Sequence, residues 1–293
     1  MKRVAIIGLG LMGASLGLAL KERGTAATVV GYARRAATRM AALERGCVDE
    51  IHAELGNAVA DSDLIVYCTP ILTISELVSE SLPHLKPGAI LTDVGSTKAD
   101  LTREVEACLA GHESVFVGSH PVAGSEQQGL DAARADLYRG AVVIVTPPVT
   151  QAPADAVDQV CAFWAGVEAV VDVMPAATHD QLMARTSHLP HLVASALALT
   201  VGRDGAGAAV GRFCGAGFQD TSRVADGSPD VWHDIVYTNR AAIAAELEAY
   251  RTQFDRLCDR IAVGDFEALR ACLAEGRIAR RALLAHPSRK HES

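Results

Sequence analysis

Two short segments hold residues that can do chemistry together. Gly118-Ser119-His120-Pro121-Val122-Ala123-Gly124-Ser125-Glu126 sets an imidazole and a carboxylate among small, turn-forming residues, directly after the strand-like run from Ser114 to Val117. About 110 residues earlier, Gly8-Leu9-Gly10-Leu11-Met12-Gly13 follows an apolar run and opens a helical pattern. A glycine loop in that setting is a dinucleotide fingerprint. Gly8 permits the tight turn, Gly10 lets a pyrophosphate approach the backbone, and Gly13 lets helix and strand pack closely. Histidine suits the other half of a hydride transfer. Its unperturbed pKa of about 6.5 lets it take the proton from a carbinol oxygen as hydride leaves the carbon. His120 is the candidate base. Ser96, in Asp93-Val94-Gly95-Ser96-Thr97-Lys98, is expected at the same edge, where its hydroxyl can orient the substrate oxygen. A satisfied loop histidine is the plain alternative for His120 taken alone.

These groups need a scaffold, and the pattern of the first half supplies one. Strand-like Lys2–Gly8, Thr28–Tyr32, Leu64–Pro70, Ala89–Val94, Val115–Val117 and Ala141–Thr146 are interleaved with helix-like Leu11–Gly24, Ala36–Gly46, Leu72–Leu85 and Lys98–Leu109. That alternation predicts a mostly parallel sheet covered by helices, with ligands at the carboxyl edge of its strands. Ala154–Trp164 followed by Val167–Val173 reads as one more helix–strand unit, which places a boundary near Pro175. Beyond it, Glu246–Ile261 and Phe266–Leu284 are amphipathic at helical spacing, interrupted upstream by the Gly/Ala-rich stretch Gly202–Gly217. The expected fold is α/β: an N-terminal Rossmann-type doubly wound sheet over residues 1–175, an all-helical domain over 176–286, and a polar tail at 287–293.

Bulk properties narrow the class. The chain has 293 residues, 49% of them apolar, enough for two cored domains. No apolar run reaches the roughly 18 residues of a membrane span, and the start runs straight into the glycine loop rather than through a signal peptide. A cytoplasmic location is expected, with no membrane partner. Seven scattered cysteines without a CxxC pair read as reduced thiols rather than a disulfide or zinc framework. A formal charge of −8 argues against nucleic acid as a partner. It also means that an anionic substrate must be held by local cations.

Cofactor choice is read about 20 positions after the glycine loop, where a carboxylate would bind the ribose of NAD. This chain has Ala33 there, followed by Arg34 and Arg35. Guanidinium forks pair well with phosphate, so NADP is expected, with NAD possible. The cofactor set is then Gly8, Gly10, Leu11, Met12, Gly13, Arg34, Arg35 and Thr69. The alternative is that both arginines are solvated charges opening a helix.

The helical half carries its own cluster: Thr178-His179-Asp180 and Ser187-His188-Leu189-Pro190-His191, then Gly217-Phe218-Gln219-Asp220-Thr221-Ser222-Arg223 and Trp232. His188 and His191 can share a helix face, but no further ligand pattern supports a metal, and none is expected. Pro190 is expected to kink the helix and aim His191 at a cleft. With GLGLMG, DVGSTK and GSHPVAGSE, these motifs resemble the prephenate/arogenate dehydrogenase family of tyrosine biosynthesis over nearly the whole chain. The resemblance implies oxidative decarboxylation of a cyclohexadienol, prephenate or arogenate, with hydride passing to NAD(P). It implies His120 as base on the 4-hydroxyl, Ser96 orienting it, and Arg223 holding a substrate carboxylate. His179, His191, Glu126, Asp220 and Trp232 are implied to line or gate the pocket. A homodimer built through the helical domain is implied as well.

Arogenate is the favoured substrate here, because Asp226 or Asp230 can meet its ammonium group; either is equally a helix N-cap. No regulatory domain is visible beside the two expected ones, so any tyrosine inhibition is expected to act at the active site. Two rivals are a dehydrogenase of an amino-substituted prephenate and a β-hydroxyacid dehydrogenase. The second needs a lysine on the helices after the nucleotide domain, and residues 176–284 contain none. A catalytically silent NADP sensor is the reading from another class; Ser96, His120 and Arg223 together weigh against it.

Overall fold

The structure, a computed structural model, describes residues 1–123, 129–149, 155–205 and 207–285. Six parallel strands form the main sheet: β1 (Arg3–Ile7), β2 (Thr28–Tyr32), β3 (Glu50–His52), β4 (Leu64–Tyr67), β5 (Ile90–Asp93) and β6 (Val115–Phe116). Their spatial order is β3-β2-β1-β4-β5-β6, so the chain reverses direction across the sheet between β1 and β4. That switch point opens a crevice at the carboxyl ends of the strands. The strands are apolar on both sides, as burial on two faces requires. Val4, Ile6, Leu64 and Val66 meet α1 (Leu11–Arg23), α2 (Ala36–Glu44) and α6 (Ala156–Gly166). Ala5, Ile7, Ile65 and Tyr67 meet α3 (Leu55–Val59), α4 (Ile74–Ser81) and α5 (Ala99–Cys108).

A second, three-stranded sheet holds the segment expected to be a loop. β7 (Gly118–Val122) runs antiparallel to β8 (Val142–Thr146), which pairs in parallel with β9 (Val170–Val173). His120 therefore sits on a strand, opposite Ile144. Pro121 has no N–H to give a ladder, and β7 tolerates it because it is an edge strand in the order β7-β8-β9.

The helices that follow are α7 (Ala176–Met183), α8 (Leu189–Val201), α9 (Gly207–Gly211), α10 (Ala216–Ser222), α11 (Pro229–Thr238), α12 (Arg240–Val263) and α13 (Phe266–Ala285). The kink expected at Pro190 takes the form of a five-residue π turn, Ala184–His188, immediately before α8. Pro190 lies in the first turn of α8, and the widened turn upstream absorbs the backbone bond that its missing N–H cannot make. By contact the chain divides into two compact units, Met1–Arg240 and Ala241–Ser293. Helices α7 to α11 belong to the first unit. Hydrogen bonds across Pro175 tie α7 to α5, where Asp180 accepts from the backbone N–H groups of Lys98 and Ala99, and Asn239 Nδ2 in turn donates to the Asp180 carbonyl. The second unit is a helical pair in which Arg256 approaches Glu275 and Arg260 approaches Asp265. Among the described residues no helix is long and apolar enough to cross a membrane. The polar tail lies outside the described residues.

Candidate active site

The glycine loop forms as its spacing requires. Gly8 has φ +100°, and a Cβ there would press on Thr69 and Cys68. A Cβ on Gly13 would overlap the Gly8 carbonyl oxygen. Gly10, the N-cap of α1, has open space where its side chain would be, and no side chain caps the helix. The first N–H groups of α1, from Leu11 and Met12 onward, thus face an uncovered cradle. That is the arrangement a pyrophosphate fits. Tyr138 Oη braces the loop from behind by donating to the Met12 carbonyl at 2.7 Å. At the end of β2, Ala33 is buried while Arg34 and Arg35 are exposed. Arg39 Nη1 donates to the carbonyls of both Ala33 and Arg34 at 2.8 Å, which fixes the turn that presents the two arginines. Neither Arg34 nor Arg35 has an ion-pair partner among the described residues. The loop, Thr69 and this turn lie at the same sheet edge, so the residues present fit a dinucleotide.

His120 is tied to that edge through its neighbour. The Ser119 N–H donates to Asp93 Oδ1 at 3.0 Å, and Ser119 Oγ donates to the Asp93 carbonyl at 2.6 Å, at the carboxyl end of β5. Trp164 Nε1 donates to Ser119 Oγ at 3.0 Å and completes the anchor. Asp93 also carries a buried ion pair with Lys98. It is structural: it neutralises a cation that would otherwise lie uncompensated under the site. Ser96 is half-buried at the bend after β5, and its hydroxyl has no hydrogen-bond partner among the described residues.

Four buried histidines gather beside His120's strand. His120 Nδ1 lies 2.8 Å from His179 Nε2, and His179 Nδ1 lies 2.8 Å from Asp180 Oδ1. Asp180 accepts as well from the N–H groups of Lys98, at 2.8 Å, and Ala99, at 2.9 Å. His191 stacks on Trp232 with ring centroids 3.5 Å apart, and His188 meets the same indole edge-on at 5.9 Å. His191 Nδ1 is buried with no hydrogen-bond partner among the described residues. Burial disfavours the charged form of all four rings. It pushes the His120 pKa well below the usual range, helped by His179, Lys98 and His188. His179 is lowered by burial against the opposing pull of Asp180, and His188 falls to about 4 for the same first reason. Burial lowers His191 too.

The expected site residues fall into three places. Gly8, Gly10, Leu11, Met12, Gly13, Thr69, Arg34 and Arg35 share the cofactor edge. His120 and Ser96 come from the strand and bend beside it. Arg223 and Asp220 line an open cleft of about 540 Å³ with Asp226 and Phe218, on α10 and the turn after it. His191 and Trp232 form their stack between α8 and α11. His179 departs from expectation: it is fully buried behind His120 rather than lining a pocket. Glu126 lies outside the described residues. The bare pattern of residue types missed Asp180 and Lys98. The dipeptide His179-Asp180 was the available signal, but its partners come from a strand and a helix far away in the chain. Among the described residues no group of three or more His, Cys, Asp or Glu side chains is placed to hold a metal ion.

Comparison with known proteins gives consistent matches. A family model described as prephenate dehydrogenase, nucleotide-binding domain, matches residues 16–173, and one described as prephenate dehydrogenase, dimerization domain, matches residues 175–275. The cyclohexadienyl dehydrogenase of Zymomonas mobilis is 32% identical over 284 residues, 96% of either chain. The crystal structure of prephenate dehydrogenase from A. aeolicus, in complex with hydroxyphenyl propionate and NAD+, is similar at TM-score 0.88 and 29% identity. It covers 97% of this chain and 98% of its own. Synechocystis arogenate dehydrogenase is similar at TM-score 0.82 and 30% identity, over 96% of this chain and 100% of its own.

Proposed function

The chain belongs to the prephenate dehydrogenase family, and from that premise we propose that it oxidatively decarboxylates a cyclohexadienol, arogenate in preference to prephenate, with NADP as the favoured oxidant. The observation that carries the reading is the buried, neutral His120, anchored through Ser119 to the carboxyl edge of the sheet that bears the glycine loop. The nicotinamide, when bound, supplies the hydride acceptor. His120 takes the proton of the ring hydroxyl as hydride leaves the same carbon, and Ser96 orients that hydroxyl. Arg223 holds a carboxylate, and Asp220, His191 and Trp232 bound the space around the ring. Glu126 belongs to this set as well. Loss of the ring carboxylate as carbon dioxide gives an aromatic product, which drives the step. Asp226 lines the same cleft as Arg223, and a carboxylate there suits an ammonium group on the substrate.

Residues 1–175 hold the cofactor in this reading, and residues 176–286 serve the substrate and the contact between copies. A homodimer is supported by the dimerization-domain match and by the exposed apolar side chains Phe254, Ile261, Phe266 and Ile278 on α12 and α13. The decisive assay follows carbon dioxide release and reduced nicotinamide together, for prephenate and arogenate each with NAD and NADP. Turnover above background in none of the four pairings would overturn the reading.

The preference for NADP rests on the Ala33-Arg34-Arg35 turn. An Ala33→Asp, Arg34→Ala double variant should move the ratio of kcat/KM towards NAD. Removing one charge-assisted phosphate contact should weaken NADP by about 1.5–3 kcal/mol. If the unmodified enzyme already has a higher kcat/KM with NAD, the two arginines are surface charges and the assignment fails.

A further inference from the structure

The line of side chains behind His120 ends in a carboxylate with no choice of role, and this fixes the proton on every ring in the line. Asp180 accepts from two backbone N–H groups at the start of α5, at 2.8 and 2.9 Å. As an acceptor it requires His179 to carry its proton on Nδ1, 2.8 Å away. Burial favours the neutral form of His179, whose Nε2 is then left with a lone pair, and that atom faces His120 Nδ1 at 2.8 Å. Two lone pairs cannot face each other at that distance. His120 must therefore carry its own proton on Nδ1, which leaves Nε2 as the basic nitrogen.

We propose that His179 and Asp180 are positioning residues for His120: they hold it in the tautomer whose Nε2 is the base, and the Asp180 carboxylate, acting through the His179 ring, offsets the charge His120 gains when it takes the substrate proton. The proposal rests on the reading of His120 as the base. In the step itself the proton moves from the ring hydroxyl to His120 Nε2, the two electrons leave the ring carbon as hydride to the nicotinamide, and the carboxylate departs as carbon dioxide, which leaves the ring oxygen as a phenolate to which the proton then returns. Before that return His120 has protons on both nitrogens, and its Nδ1–H donates to His179, which Asp180 backs. The other charged or titratable groups around the pair act differently. The Lys98 ammonium and the His188 ring disfavour a charge on His120, and Asp93 offsets Lys98. Asp180 is thus the anion that reaches His120 through a directed hydrogen-bonded path.

The test is a set of variants measured for kcat, KM, cofactor binding and the pH profile of kcat. Asp180→Asn replaces the obligatory acceptor by a group that can donate to His179, which reverses both tautomers. It should lower kcat by about 10²–10⁴-fold with little change in KM or cofactor affinity. It should also move the acid limb of kcat to lower pH, because an anion that favoured the imidazolium is gone. A merely structural role would not shift that limb. Asp180 also caps α5, so if Asp180→Asn does not fold, His179 decides. His179→Leu removes the acceptor and should lower kcat by about 10²-fold or more, whereas His179→Gln keeps an acceptor oxygen for His120 Nδ1 and should restore most of it. In a His120→Asn background, His179→Leu should have no further effect on kcat, since residues acting as a unit are not additive. Folded His179→Leu with kcat within about threefold of the parent, or additive losses in the double variant, would overturn the proposal while leaving His120 as base. Near-normal kcat in His120→Asn alone would instead remove the base itself.

Discussion

A His120→Asn enzyme is expected to lose about 10²–10⁴-fold in kcat, the usual contribution of a positioned general base. Cofactor affinity should stay the same, because the glycine loop and the Ala33-Arg34-Arg35 turn are built from other elements. Asparagine can still accept a hydrogen bond from the substrate hydroxyl but cannot take up its proton, so KM should move far less than kcat. The pH profile gives a second check. Burial holds the imidazole well below its ordinary range, so the ring is neutral and competent across neutral pH. In the parent enzyme kcat/KM should stay flat as pH falls past the ordinary imidazole value of about 6.5, and drop only below it, as the base becomes protonated. So weak a base suffices because the departing hydride leaves the ring oxygen electron-poor and its proton acidic. Steady-state kinetics from acid to neutral pH on both enzymes check the assignment. Near-normal kcat in the variant would refute it.

The second large effect is expected at Arg223. The substrate is an anion and the protein carries a formal charge of −8, so a well-placed guanidinium must offset the field where the substrate sits. Arg223 lines the cleft with Asp220 and Asp226 on the turn after α10. Truncating one partner of a hydrogen-bonded charge pair that substrate binding desolvates costs about 2–5 kcal/mol. Arg223→Ala should therefore raise substrate KM by on the order of 30-fold or more, with NADP binding and the fold intact. Arg223→Lys should recover only part of that loss, because an ammonium is a point charge and cannot match two carboxylate oxygens as a planar fork does. If Arg223→Ala leaves KM unchanged, the anchor is elsewhere, and His191 with its unsatisfied buried Nδ1 is the next place to look.

The parts of this structure that are legible in the sequence are those set by local rules. The glycine loop, the strands β1, β2, β4 and β5, and the long helices α12 and α13 follow from turn residues and hydrophobic period, and they form close to the expected positions. The helix expected over Leu72–Leu85 is divided: the α-helical part is Ile74–Ser81, and Pro83 leaves only a 3-10 turn after it. Glu50–His52 went unread as a strand because three residues carry no period. Gly118–Val122 was read as a loop because glycine, serine and proline dominate its composition, yet tertiary pairing with β8 overrides that preference. The candidate site shows the same division. His120 stands out by its local motif. The role of Asp180 does not, because it depends on N–H groups from the start of a helix that lies far earlier in the chain.

That distance bears on the order in which a new molecule becomes competent. The Gly8 N–H closes its turn on the Tyr32 carbonyl, at the end of the next strand in the chain. The bonds that set the base reach much further. His120 and His179 are 59 residues apart, Asp180 reaches back 81 and 82 residues to α5, and Thr97 is joined to Thr238 across 141. Chains are made from the N-terminus forward, and long-range contacts pay their loop-closure entropy before they form. The turn at the heart of the nucleotide cradle is thus closed by a neighbour in the chain, while the histidine is backed by partners far along it. The backing of His120 is complete only once α7 has been synthesised and docked against β7.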